Sequence, residues 1–169
     1  MFKKTNIQFS IERALTDLQA LQPMLDESSV VCLTCKPTTP PDEQWIDGRD
    51  FLHGSKERDY NQKCHFIIGT YFEYLIDNMP FNSGRVRIFA RRPRTAGPIH
   101  WDPTRRFHFV LKTDPGRFIV ETDKNTTTGT FHHIPADGFV YEMEAEKLHF
   151  GLHVGNDITY HVVFAEQED

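Results

Sequence analysis

Two histidines and a carboxylate carry the most specific chemistry in this sequence. His100-Trp101-Asp102 is an H-x-D triplet. On a strand, positions i and i+2 face the same way, so this imidazole and carboxylate converge on one point. A second histidine from a later strand would complete a face of two imidazoles and one carboxylate with open positions opposite. That ligand set suits non-haem Fe(II). Arg106-Phe107-His108 follows as an R-x-H pair on the next strand, and Trp101, pointing the other way, is expected to pack. A lone H-x-D or H-x-x-x-H arises easily by chance; the information lies in the ordered set.

Those side chains need a scaffold. Ile11, Ala14, Leu15, Leu18 and Leu21 form one helical stripe, predicting a helix over 10–22 that Pro23 ends. Residues 29–35 suit a short strand, 42–64 show no period, and 65–80 read as a second helix. From residue 84 the texture changes to short apolar-alternating segments bounded by Gly, Pro, Asp or Asn, including IHWD, RRFHFVLK, GRFIVETD, KLHFGLHV and ITYHVVFA. Such spacing predicts an antiparallel double-sheet jelly roll, with its phenylalanines between the facing sheets. His161 lies on an apolar strand and suits a hydrogen-bonded core histidine. The expectation is one domain over 1–169, with a helical and loop part at 1–80 and a β core at 84–165.

The 169 residues carry a net charge of −5, so general attraction to nucleic acid or anionic membrane is not expected. No apolar run approaches the length of a spanning helix, and no apolar stretch follows the first lysines as in a secretory signal. Three cysteines make an odd number, and Cys32, Cys35 and Cys64 read as free packing thiols in a reducing, cytoplasmic setting.

The stretches RVRIFARRPRTAGPIHWD, RRFHFVL, DGFVYEMEAEKLHFGLH and ITYHVVFA together resemble the aspartyl/asparaginyl β-hydroxylase family over roughly residues 65–165. These are 2-oxoglutarate- and Fe(II)-dependent oxygenases on a double-stranded β-helix, a cupin-like jelly roll. The resemblance implies His100, Asp102 and His149 as metal ligands, with His153 as an alternative distal ligand or a supporting residue. It places Arg106 and His108 beside the cosubstrate. The family usually has an arginine about ten residues after the distal histidine to hold the far carboxylate of 2-oxoglutarate, and here position 159 is Thr. That role then falls to Arg106, Lys112, Arg87 or Arg91. The implied reaction hydroxylates a C–H bond while 2-oxoglutarate becomes succinate and CO₂. The implied substrate is an Asp or Asn residue of a polypeptide or a free, acidic amino acid, received by a rim of Arg85, Arg92, Arg94 and Arg105. Two other readings stay open at this level: a metal-dependent cupin-like enzyme that does not use 2-oxoglutarate, and a silent binding domain.

Overall fold

The computed structural model describes residues 1–49, 54–125 and 128–168. In chain order the elements are β1 (Phe2–Gln8), α1 (Ile11–Glu27), β2 (Val30–Cys32), β3 (Thr34–Cys35), β4 (Gln62–Lys63), α2 (Tyr71–Asp77) and β5 (Ser83–Arg91). They continue with β6 (Thr95–Ala96), β7 (Arg106–Lys112), β8 (Arg117–Thr122), β9 (Gly129–His132), β10 (Phe139–Met143), β11 (His149–His153) and β12 (Thr159–Glu166). Single 3₁₀ turns occupy Glu57–Asp59 and His65–Ile67.

One sheet has six strands in the order β1-β10-β7-β12-β5-β2, and the facing sheet has four in the order β6-β11-β8-β9. The neighbouring pairs are antiparallel, which makes the jelly roll expected from the sequence. No helix among the described residues is long and apolar enough to cross a membrane.

The larger sheet is buried on both faces, and its two faces differ in chemistry. Phe107, Phe109, Val162 and Phe164 pack outward against Ala14, Leu18, Leu21 and Leu25 of α1 and Phe72 and Leu75 of α2. The opposite face carries Arg87, Arg106, His108 and His161 into the space between the sheets. The expected phenylalanine filling between sheets is therefore wrong. Alternation along each strand sends Phe and Val to the helices and Arg and His to the interior. Between the sheets lie Phe89 and Val163, which line the cavity, and a small apolar cluster of Val110, Ile119, Ile134, Met143 and Ala145.

Several boundaries differ from the sequence expectations. Helix α1 starts where Ser10 accepts a hydrogen bond from the Arg13 amide, and it runs through Pro23 to Glu27. Proline removes one backbone donor, but buried Leu25 and the Ser28 amide on the Met24 carbonyl hold the last turn. The second helix does not span 65–80. Gly69, at φ +81°, breaks it, and α2 begins only where Thr70 caps the Phe72 amide. Residues 2–8 form an edge strand paired with β10 that the sequence reading missed. The region 42–64 holds turns, the 57–59 turn and β4; its residues 50–53 lie outside the described residues. Cys32, Cys35 and Cys64 are free and buried.

Candidate metal centre

His149 enters the space between the sheets from β11. His100 and Asp102 arrive on a connecting segment rather than on a strand. His100 exchanges both backbone hydrogen bonds with His149, at 3.0 and 2.8 Å, and the Asp102 amide reaches the Ala145 carbonyl at 2.9 Å. This isolated bridge lays the H-x-D segment along the strand that carries the second histidine. One ligand atom from each of His100, Asp102 and His149 lies within 4.8 Å of the others.

The hydrogen bonds around these rings are what a metal site requires. His100 Nδ1 lies 2.9 Å from the Pro98 carbonyl and His149 Nδ1 2.7 Å from the Lys147 carbonyl. A carbonyl only accepts, so both Nδ1 atoms carry the proton. Each Nε2 is then left facing Asp102 Oδ2, at 3.8 Å for His100 and 3.5 Å for His149. Three acceptors converge, and only a cation or an added proton satisfies them. Burial opposes ionisation of Asp102, but a proton on His149, the Arg106 guanidinium and a proton on His100 each favour its carboxylate, which puts its carboxyl well below the ordinary range. Oδ1, the other oxygen, accepts from Arg106 at 2.8 Å. An ordered carboxylate oxygen and two Nε2 lone pairs suit a divalent transition metal.

The His100–Asp102–His149 cluster sits at one side of a cavity of roughly 100 Å³ that opens to solvent. Arg87, Arg91, Arg106, Arg117, His108 and His161 line it, and Asp102 is the one acid among the lining residues. Arg106 is neutralised by Asp102 and Glu57. Arg87, Arg91 and Arg117 have no carboxylate partner among the described residues. Burial lowers Arg87 and Arg117 to about 10, which leaves both charged at neutral pH. Burial also pushes His108 down to about 3 and His161 well below its usual value, so both rings are neutral. Both nitrogens of each ring are buried without a protein partner, so His161 is not the satisfied core histidine expected.

Arg117, which the sequence reading passed over, projects from β8 and donates to the Phe118 and Leu152 carbonyls. Gly151 makes room for it. A Cβ there would stand 3.2 Å from Arg117 Nη2 and 3.6 Å from Arg91 Nη2. Thr159 stands directly across the β5–β12 pair from Arg91, so a guanidinium occupies the adjacent strand at the level where position 159 lacks one.

Other expectations fail for definite reasons. The Arg106 Nη2 atom is committed to Glu57 and Asp102, and its Nη1 to Thr104 and the Arg105 carbonyl. It holds the ligand carboxylate and has no free fork for a cosubstrate. Lys112 is exposed and outside the cavity. A bulge in the β7–β12 pairing sets Val110 opposite His161 but Lys112 opposite Tyr160, which reverses the face on which Lys112 lies. His153 is the last residue of β11 and is fully buried. Its Nε2 donates to the Asp157 carbonyl at 2.6 Å and its Nδ1 accepts from the Gly155 amide at 3.2 Å, so it has no lone pair left for a metal. Of the expected rim, Arg85 is buried against Glu57, and Arg105 is paired with Glu142 and Glu166. Arg92 and Arg94 are exposed. Trp101 does not pack; it is 59% exposed beside the cluster.

A solved structure shares this fold. AviO1 from Streptomyces viridochromogenes Tue57 superposes with a TM-score of 0.57 at 12% identity, covering 99% of this chain and 89% of that one. The protein is a double-stranded β-helix. An oxidoreductase of the 2OG-Fe(II) oxygenase family from Burkholderia pseudomallei matches with a TM-score of 0.43 at 14% identity, over 57% of this chain and 49% of that one. The capsular polysaccharide assembling protein CapF from Staphylococcus aureus matches with a TM-score of 0.41 at 13% identity, over 50% and 23% of the two chains. This chain thus spans about half the length of the first of these two and about a quarter of the second. No protein-family model matches the sequence, and no curated protein does.

Proposed function

We propose that the protein is a 2-oxoglutarate- and Fe(II)-dependent dioxygenase of the aspartyl/asparaginyl β-hydroxylase type, acting on a C–H bond of a small or polypeptide substrate. The observation that carries this is the pairing of the His100–Asp102–His149 cluster with unneutralised arginines in one cavity. His100, Asp102 and His149 would hold the iron, which when bound supplies the oxidising chemistry. Arg91 and Arg117 would receive the far carboxylate of 2-oxoglutarate beside Gly151. Gly151 lies two residues beyond His149, about 7 Å along the strand, which suits a five-carbon dicarboxylate anchored at the metal.

Charge supports the same reading. Arg85 and Arg106 balance Glu57 and Asp102, so Arg87, Arg91 and Arg117 stand as surplus cations around the cluster. Buried guanidinium groups without anions are costly, and an organic dianion offsets that cost. His108 and His161, held neutral, each offer one donor and one acceptor to a bound ligand. Phe89 and Val163 supply an apolar wall to the cavity.

The test is anaerobic. Fe(II) is added to metal-free protein, then 2-oxoglutarate, while the visible spectrum is recorded. A weak charge-transfer band that needs both additions, and that is lost in Arg91→Met/Arg117→Met, supports the proposal. Iron binding without a band would leave a metal enzyme that does not use 2-oxoglutarate. No iron binding would sink the oxygenase reading.

A further inference from the structure

Glu57 lies outside every sequence motif, in a single 3₁₀ turn of the N-terminal part, yet it is fully buried. Its carboxylate accepts from Arg85 Nη2 at 2.6 Å, from Arg85 Nε at 3.0 Å and from the Arg85 amide at 3.0 Å. It also accepts from Arg106 Nη2 at 2.8 Å. The same Arg106 nitrogen donates to Asp102 Oδ1 at 2.8 Å. A buried chain of alternating charge therefore runs Arg85, Glu57, Arg106, Asp102 and ends at the metal cluster.

We propose that Glu57 is a positioning residue for the metal carboxylate, acting through Arg106. This rests on the metal-centre reading above. Guanidinium and carboxylate prefer a two-bond fork. Here Glu57 takes a share of Nη2, and Thr104 and the Arg105 carbonyl take Nη1, so Arg106 makes one bond to Asp102. Oδ1 is held and Oδ2 stays turned toward His100 and His149. Without the Glu57 charge, two buried guanidiniums would face one carboxylate. Asp102 would then be drawn onto Arg106 with both oxygens and withdrawn from the histidines.

The turn is fastened for this task. A Cβ on Gly84 would meet Glu57 Cβ at 2.6 Å and the Glu57 carbonyl at 2.7 Å, so glycine on β5 lets the turn lie against the strand. The Glu57 amide donates to Glu168 at 3.0 Å, which ties the turn to the C-terminal segment as well.

Co(II) is the probe, because its visible spectrum reports ligand geometry and its calorimetry gives affinity. Three proteins are compared: wild type, Glu57→Gln, and Glu57→Gln/Arg85→Met, which removes one positive charge with the negative one and keeps the buried balance. Both variants are expected to bind Co(II) ten- to hundred-fold more weakly, with a shifted d–d band. The double variant should unfold near the wild-type temperature when metal-free. A folded double variant that binds Co(II) with wild-type affinity and spectrum overturns the proposal, whatever its melting temperature, because Glu57 then serves stability alone. A wild type that takes no Co(II) removes the metal-centre reading itself, and this inference falls with it.

Discussion

Acid should unfold this protein earlier than its carboxylates alone would dictate, because His108 and His161 are neutral when folded. In the unfolded chain each titrates near 6.5. In the fold His108 is pushed down to about 3, by burial first and then by Arg117 and His149, and His161 is pushed well below its usual value by burial first and then by Arg117 and His108. With folded values depressed, the unfolded chain binds the extra protons. The stabilisation from these rings is therefore complete above about pH 6.5 and is lost as pH falls below it. At pH 5.0 the unfolded chain lies about 1.5 pH units below its histidine value, so each ring withdraws about 2 kcal/mol relative to pH 7.5. The pair withdraws about 4 kcal/mol, a large share of the stability of an ordinary domain. The assay is urea unfolding of chelator-treated protein at pH 7.5 and 5.0, for wild type and His108→Phe/His161→Phe. The wild type should lose about 4 kcal/mol more than the double variant over this interval. Equal losses in the two proteins would refute the assignment of these rings as neutral and buried.

Three further outcomes follow from the site. His100→Ala and His149→Ala should each weaken Co(II) binding at least a hundred-fold by calorimetry, because each removes one of three ligands. His153→Ala should keep Co(II) affinity within about three-fold yet lose about 1–3 kcal/mol in urea unfolding, because the Asp157 carbonyl and Gly155 amide lose their partner. Gly151→Leu should displace Arg117 and weaken 2-oxoglutarate binding to the Co(II)-loaded protein about ten-fold or more with metal affinity unchanged, whereas Lys112→Ala, at an exposed position, should leave it within about two-fold.

Much of the site was legible because strand periodicity and residue chemistry act locally. The H-x-D pair and a later histidine are recognisable as candidate ligands, which the fold brings together, and the short alternating segments after residue 84 announce the two-sheet fold. Ser10 and the stripe through Ala14, Leu18 and Leu21 mark the first helix. Local rules misled where a single residue changed the register. Gly69 divides the second helix, and the bulge near Leu111 turns Lys112 away from the cavity. Pro23 failed to end α1 because packing of Leu25 outweighs one missing backbone bond.

The sequence by itself determined which chemistry was at hand: imidazoles and a carboxylate for a metal, and arginines for anions, on strands that alternate in facing. Only the tertiary structure decided which of them meet. His153 and His149 are equivalent on paper, two steps of the strand repeat apart, but the turn to β12 consumes both nitrogens of His153. Arg106 and Arg117 are both inward arginines, but Glu57 from 49 residues earlier neutralises the first and leaves the second charged toward the cavity. Periodicity fixes the face on which a side chain lies, whereas the partners that satisfy or free it come from chain segments that only folding brings together.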